Sequence, residues 1–353
     1  MASQIRLPSS QQYTVGWIVA LHIEQAAAQA VLDERHEKPE GFMKHPRDTN
    51  NYSWGRIKQH NIVIASLGAG RYGTVSAAAT AMSMVSSLPH LRFGLMVGIG
   101  AGVPRLDEGI DIRLGDVVVS VPGGKSSGVV KYDLGKRRTD GRFERVGCLD
   151  SPPDVLLKGV DSLRAKHEME ISRVPEVLKE MVQRYPRMAQ PQRGGNSSYV
   201  YPGAEHDQLY ETPTRCPDNV SARNATSDPD PGGLNPGTLR EIKRKERAAE
   251  PEIHYGVIAS GDSVMKDGIS RDEILQRLED KCICFEMEAA GLMNNFPCLV
   301  IRGICDYADE FKNDRWQRYA AATAAAAAKE LLEVMDGEDV ERTLPIEQTI
   351  KER

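Results

Sequence analysis

The stretch CICFEMEAAGLMNNFPCLVIRGICDYAD, residues 282–309, decides the architecture of the chain. It holds two apolar runs, CICF at 282–285 and CLVIRGI at 298–304, both strand-like and both followed by carboxylates. Between them, EAAGLM places small and apolar residues where a helix would run. Strand, helix and strand in direct succession are the unit of an α/β fold with a largely parallel sheet.

The alternation continues outward. YTVGWIVAL at 13–21 precedes a helical pattern at 23–33, and NIVIASL at 61–67 leads through GAGRYG into a helical run at 74–86. RFGLMV at 92–97 leads into a glycine-rich turn, GIGAG at 98–102, and GDVVVSV at 115–121 is a fourth strand. HYGVIASG at 254–261, a helix at 269–281 and a closing helix at 315–335 restore the pattern downstream. The middle differs: prolines are frequent over 151–250, and a Pro/Asp/Asn/Gly tract occupies 217–237. A helix is expected at 175–185 and a charged one at 239–249, with long surface loops elsewhere. The expected organisation is one domain over 13–335 with a loop-rich insertion at 151–250, flanked by flexible tails at 1–12 and 336–353.

Composition narrows the function. The 353 residues carry 45 Lys and Arg against 50 Asp and Glu, a net charge of −5, which argues against a dedicated nucleic-acid binder. The N-terminus lacks the apolar run of a signal peptide. The Ala-rich stretch at 320–328, followed by Lys329 and Glu330, reads as the helix of a soluble protein rather than a membrane span. Six cysteines without CxxC spacing are expected to be reduced thiols, neither disulfides nor a zinc site. A cytoplasmic protein without membrane contact is the expectation.

Ligands in open α/β sheets bind beyond the carboxyl ends of strands, so three strand ends hold the candidate chemistry. In GIGAG, glycines at 98, 100 and 102 form a tight turn or let backbone amides approach a sugar or an anion. In FEMEAAG, Glu286 and Glu288 follow an apolar strand; a helix start explains one carboxylate, and a ribose diol needs one as bidentate acceptor. In ICDYAD, Asp306 serves either as a helix cap or, partly desolvated, as a proton donor to a leaving group.

Taken in order, GIGAG and LGD (114–116), SGDSVMKD (260–267), FEMEAAG (285–291) and VIRGICDYAD (300–309) resemble the purine nucleoside phosphorylase and methylthioadenosine/S-adenosylhomocysteine nucleosidase superfamily. The resemblance covers about 13–121 and 253–335. The middle segment resembles the enlarged fungal branch, whose domains also occur at the N-terminus of larger receptors. It implies a three-layer α/β/α fold around a central mixed, mostly parallel, twisted sheet. By this resemblance Asp306 matches the catalytic acid at purine N7, Glu288 the carboxylate holding the ribose hydroxyls, and Met287 the methionine under the sugar. Val264 and Met265 fall against the base, with Val264 where a stacking Phe is common, and Cys305 replaces a Ser before the acid. Ala20, Gly98, Ile99, Gly100, Phe285 and Glu286 complete the implied substrate-binding set. Arg71 is a candidate for a substrate phosphate, with Lys266 as a second.

The resemblance also frames the reaction. Many phosphorylases hold phosphate with an Arg before the glycine-rich turn and a Ser or Thr within it; here those positions are Met96 and Ile99. Nucleosidases use a Glu after the first strand to activate water, and Glu24 takes that position, although a helix-start carboxylate is the simpler reading. His22 beside it is expected to be a surface residue. Hydrolysis of purine nucleosides is therefore expected, without cofactor or metal. The alternatives are a purine nucleoside phosphorylase, a nucleotide (ATP) N-glycosidase, and a nucleoside-sensing module of a larger receptor. A metal-dependent nucleosidase of the other main fold is disfavoured because an Asp-rich N-terminal signature is absent. The expected partner is a purine nucleoside or nucleotide. A homodimer or higher homo-oligomer is implied, with Tyr199, Tyr201 or His206 as residues one subunit could lend another.

Overall fold

The computed structural model describes residues 5–139, 142–191, 195–212, 240–278 and 281–352. The chain runs through β1 (Val15–Val19), α1 (His22–Ala30), β2 (Glu34–His36), β3 (Tyr52–Ile57), β4 (His60–Ser66), α2 (Thr74–Ser87) and β5 (Phe93–Gly102). Then come β6 (Val117–Ser120), β7 (Val129–Lys131), the β8 (Gly135–Arg137)–β9 (Phe143–Arg145) ribbon, α3 (Asp154–His167) and α4 (Val174–Arg184). The remainder is β10 (Ile253–Ser260), α5 (Gly268–Leu278), β11 (Cys282–Glu286), β12 (Cys298–Asp306), α6 (Gln317–Val334), α7 (Gly337–Arg342) and α8 (Ile346–Lys351).

Ten strands form one mixed sheet in the order β11-β10-β6-β12-β5-β1-β4-β3-β2, with β7 on β10. β1 pairs in parallel with β4 and β5, and β5 in parallel with β12, across the whole middle segment. β6 turns antiparallel to β12, while β10 runs parallel to both β6 and β11. β11 also pairs antiparallel with the end of β5, Phe285 opposite Ala101, so five strands close into a ring. Every residue of β1 and β12 is buried, as their continuous apolar runs require of strands covered on both faces.

Helices cover both faces. A Cβ on Gly303 would lie 1.8 Å from the Ala320 carbonyl oxygen of α6, whereas one on Gly16 would meet Met84 of α2. Register sets Gly303 beside Ile99 and Gly16 beside Gly94, and Ile99 and Gly94 point to opposite faces of β5. α6 and α2 therefore lie on opposite sides, which is the expected three-layer α/β/α arrangement. α3 and α4 pack outside α6, tied down by Glu330, whose buried carboxylate accepts from His167, Ser172 and the Arg173 amide.

Several expectations are corrected. GIGAG is not a turn: it is the second half of β5, buried except for a half-exposed Ile99 and paired with β12. FEMEAAG does not enter a regular helix but makes a single 3-10 turn at Ala289–Gly291, because Gly291 packs directly onto the Thr74 backbone and leaves no room for helical side chains. The Ala-rich stretch is a helix, as expected, and α6 is buried almost throughout, its small side chains permitting close contact with the sheet, with Lys329 bonded to the Val31 carbonyl. No helix among the described residues is long and apolar enough to cross a membrane.

The middle is more ordered than its prolines suggest. α3 was hidden by charges around Leu156, Val160 and Leu163, which share one buried face. Within the expected helix at 239–249, residues 240–250 are not helical: Arg244 and Arg247 reach separate carboxylates, Asp207 and Asp116, from an extended strap. The tract at 217–237 and Cys216 lie outside the described residues. The described residues of the tails are anchored as well. Val340 and Ile346 are fully buried and the Ile346 amide bonds to the Leu91 carbonyl, while Ile5 bridges to His36. The five described cysteines are free thiols, with only Cys148 exposed.

Candidate functional site

Glu24, in the first turn of α1, is buried. Its Oε2 accepts from the Ala20 and Leu21 amides at 2.7 and 2.8 Å, so it does cap the helix as a first-turn carboxylate should. Its other oxygen leaves the helix and accepts from the Ile99 amide of β5 at 2.9 Å. The glycine-flanked amide is thus taken by the protein's own carboxylate. A Cβ on Gly98 would stand 2.5 Å from Glu24 Oε1 and 2.6 Å from an Arg302 terminal nitrogen, so Gly98 makes the meeting of these two groups possible.

Arg302, in the interior of β12, is the centre of the cluster. One terminal nitrogen donates to Glu286 and, at 3.3 Å, to Glu288 Oε2; the other donates to the Ile99 carbonyl. Glu286 also accepts from the Glu288 and Ala289 amides, so it is fully engaged in shaping the turn that carries Glu288. The remaining oxygen of Glu288 accepts from the Gly73 amide at 3.2 Å, at the start of α2. Arg302 Nε is buried without a partner among the described residues.

One buried guanidinium therefore faces three carboxylates. Burial pushes the Glu24 carboxyl above its usual range, against the pull of Arg302 and the three amides. Burial likewise pushes Glu288 up to about 7; the charges of Glu286 and Glu24 add to this and Arg302 opposes it.

Asp306 closes β12, opposite Ala101 and so near Phe285 of β11. Its Oδ1 accepts from the Ala308 amide at 2.9 Å, its Oδ2 from the Cys305 thiol at 3.1 Å, and Lys312 Nζ lies 2.9 Å from Oδ2. Cys305 thus makes the contact a Ser would make. Ala308 takes a left-handed φ of 57°, which turns the following loop back so that Lys312 reaches the acid. Burial works against the Lys312 charge, but Asp306 outweighs it and holds the ammonium above the usual lysine range.

The structure gathers Glu24, Ala20, Gly98, Ile99, Glu286 and Glu288 around Arg302. Gly100 abuts Cys284 and the Phe285 carbonyl, and Phe285 is buried edge-on against Tyr132 at 5.5 Å. Met287 is half-buried on the turn between the two glutamates. Met265 packs against the cluster that contains Phe285 and Ala101. Val264 is not gathered: it is 48% exposed. Arg71, Lys266 and His22 are also exposed, and GAGRYG reaches the cluster through the Gly73 amide instead of the Arg71 side chain. The residues considered for a neighbouring subunit are held within their own chain. Tyr199 donates to the Ile23 carbonyl, Tyr201 packs on Trp316 and Tyr319, and His206 meets Arg315.

Arg302 and Lys312 are the residues sequence reading missed. For Arg302 a signal was present, since an arginine inside the apolar run CLVIRGI must find a buried counter-charge. Lys312 had none: it lies in a loop, and only the backbone reversal at Ala308 brings it back.

Residues 192–336 match the Phosphorylase superfamily. A nucleotide-binding leucine-rich repeat (NLR)-like protein of Hyaloscypha variabilis is 42% identical over 333 residues, 94% of this chain and 30% of that protein. The chain thus spans under a third of that relative's length. Among solved structures, futalosine hydrolase of Helicobacter pylori superposes with a TM-score of 0.53 at 15% identity, covering 92% of this chain and 99% of that one. The 5′-methylthioadenosine/S-adenosylhomocysteine nucleosidase of Neisseria meningitidis, in complex with methylthio-immucillin-A, gives 0.54 at 14%, covering 91% and 98%. The corresponding nucleosidase of Colwellia psychrerythraea, in complex with adenine, gives 0.54 at 14%, covering 92% and 97%. At such identities the likeness is one of fold.

Proposed function

We propose that this chain, whose fold is nucleoside phosphorylase-like, hydrolyses the N-glycosidic bond of purine nucleosides to free base and ribose. The observation that carries this reading is the buried set of Glu24, Glu286 and Glu288 around Arg302. The Arg302 charge is already matched by Glu286, so a phosphate dianion at this point would find no uncompensated cation, whereas a water would find acceptors and a donor. Met96 and Ile99 offer no side-chain ligand for phosphate either.

In this mechanism Glu288 accepts the ribose hydroxyls, an acceptor role that requires its ionised form. Glu24 takes a proton from water as the water oxygen bonds to C1′. The orphan Nε–H of Arg302 supports the reading, being a buried donor with an acceptor still to find. The C1′–N9 bond breaks through an oxocarbenium-like transition state, its electron pair passing to the purine. Asp306 passes a proton to N7, and the Lys312 ammonium paired with its Oδ2 replaces that proton, so the purine leaves neutral.

Incubation with adenosine, inosine and guanosine in phosphate-free buffer should release base and reducing sugar. Asp306→Asn should lower that rate by about 10²–10⁴-fold, the usual worth of a general acid. Cleavage that requires phosphate and yields ribose 1-phosphate would instead establish a phosphorylase, and ligand binding without turnover a sensing module.

A further inference from the structure

Between α1 and residues Tyr185, Arg187, Met188 and Tyr199 lies a groove of about 440 Å³. Its walls carry four cationic or protonatable side chains, His22, Arg35, Arg187 and Arg318, and no Asp or Glu. The rest of the lining, apart from Gln29, is apolar or aromatic, with Ile23 and Tyr199 among its residues. The chain's net charge is −5, and many of its other arginines are matched to carboxylates: Arg6 to Glu37, Arg56 to Glu34, Arg244 to Asp207, Arg247 to Asp116. Arg187 and Arg318 have no side-chain hydrogen bond or ion pair among the described residues, and Arg35 donates only to Gln29. Guanidinium groups left unpaired around a concave, partly apolar surface match a phosphate-bearing small molecule, whose oxygens they can bind bidentately.

We propose that this groove is a phosphate-binding site for a small organic phosphate or polyphosphate. Its position gives the site a connection to the carboxylate cluster. Tyr199, a lining residue, donates its hydroxyl to the carbonyl of Ile23, the residue next to Glu24, and so joins the groove to the cluster. The phosphate therefore belongs either to the tail of a nucleotide whose sugar lies over Glu24 or to a separate ligand acting across Tyr199. Both sources share the same chemistry.

The test uses the full chain and calorimetric titration with pyrophosphate and tripolyphosphate. Binding is expected that weakens with added salt and falls at least tenfold in Arg187→Ala/Arg318→Ala. Arg138→Ala, which removes a surface arginine paired with Glu144 elsewhere, should retain it. No binding by the wild type, or equal weakening by both variants, overturns the site, and this arm needs no catalytic activity. The source is read from cleavage of adenosine and its triphosphate. A raised KM for the triphosphate alone in the double variant marks the substrate's tail; a change in adenosine turnover on adding tripolyphosphate marks a separate ligand. Absence of any cleavage would remove the hydrolase reading and leave the binding result standing.

Discussion

Glu288 shows most directly how a residue's surroundings set its chemistry. Its sequence context, a carboxylate after a strand, gave no sign of its titration; burial beside Glu286 and Glu24 moves it to about 7. The folded state then holds a proton that the unfolded chain, with its ordinary value of 4.5, has lost between those two pH values. Stability from this group is therefore full below the unfolded value and declines as pH rises towards 7. Urea midpoints should fall between pH 5 and pH 8 more in the wild type than in Glu288→Gln. Base release should run the other way, increasing as pH passes 7, because only the carboxylate form accepts both ribose hydroxyls. In Glu288→Gln the rate should be low and that rise absent. A wild-type rate that stays flat through pH 7 would remove Glu288 from the sugar-binding role.

The element that most constrains this site is the pairing of β5 with β12, and its tolerance for substitution is set by glycine. Gly98 leaves space for the Glu24 carboxylate and Arg302, while Gly303 on the other face lets α6 approach so closely that a methyl group would strike the Ala320 carbonyl. The obstacle there is backbone, which cannot rotate away. Gly303→Ala should cost about 1–3 kcal/mol or more, the range for overpacking a rigid core. Denaturant unfolding checks it, and a midpoint unchanged from wild type would show that α6 can shift. The Ala-rich composition of α6 has the same origin. Small side chains at 320–328 read in sequence as a permissive helix, whereas in the fold they are the condition for its contact with β5 and β12.

At the scale of the molecule, segments remote in sequence are held by the same core. The tail after α6 carries only two short helices, yet Val340 and Ile346 are wholly buried. Burial of such side chains is worth about 1.5–3 kcal/mol each, so a chain ending at residue 335 should melt several degrees lower, as followed by circular dichroism. Melting unchanged by the truncation would mean that these contacts add nothing to the core. The middle segment behaves similarly: its strap at 240–250 is fastened by Arg247 to Asp116, which caps the start of β6 and also accepts from His254.

The α/β class, the strands around β5, and the placement of Glu24, Glu288 and Asp306 after strand ends were legible in the amino-acid order. These follow from local patterns, apolar runs closed by polar residues, which survive without knowledge of the partners. Three dimensions were needed to show that GIGAG is strand, that β11 crosses back onto β5, and that Arg302 gathers Glu24 together with the distant pair Glu286 and Glu288. The fold also decided that Lys312 returns to Asp306. Long-range pairing carries no local signature, because register between distant strands and the burial of a charge depend on what arrives opposite. A carboxylate's place in the sequence is local information, but its protonation and reach are properties of the assembled fold.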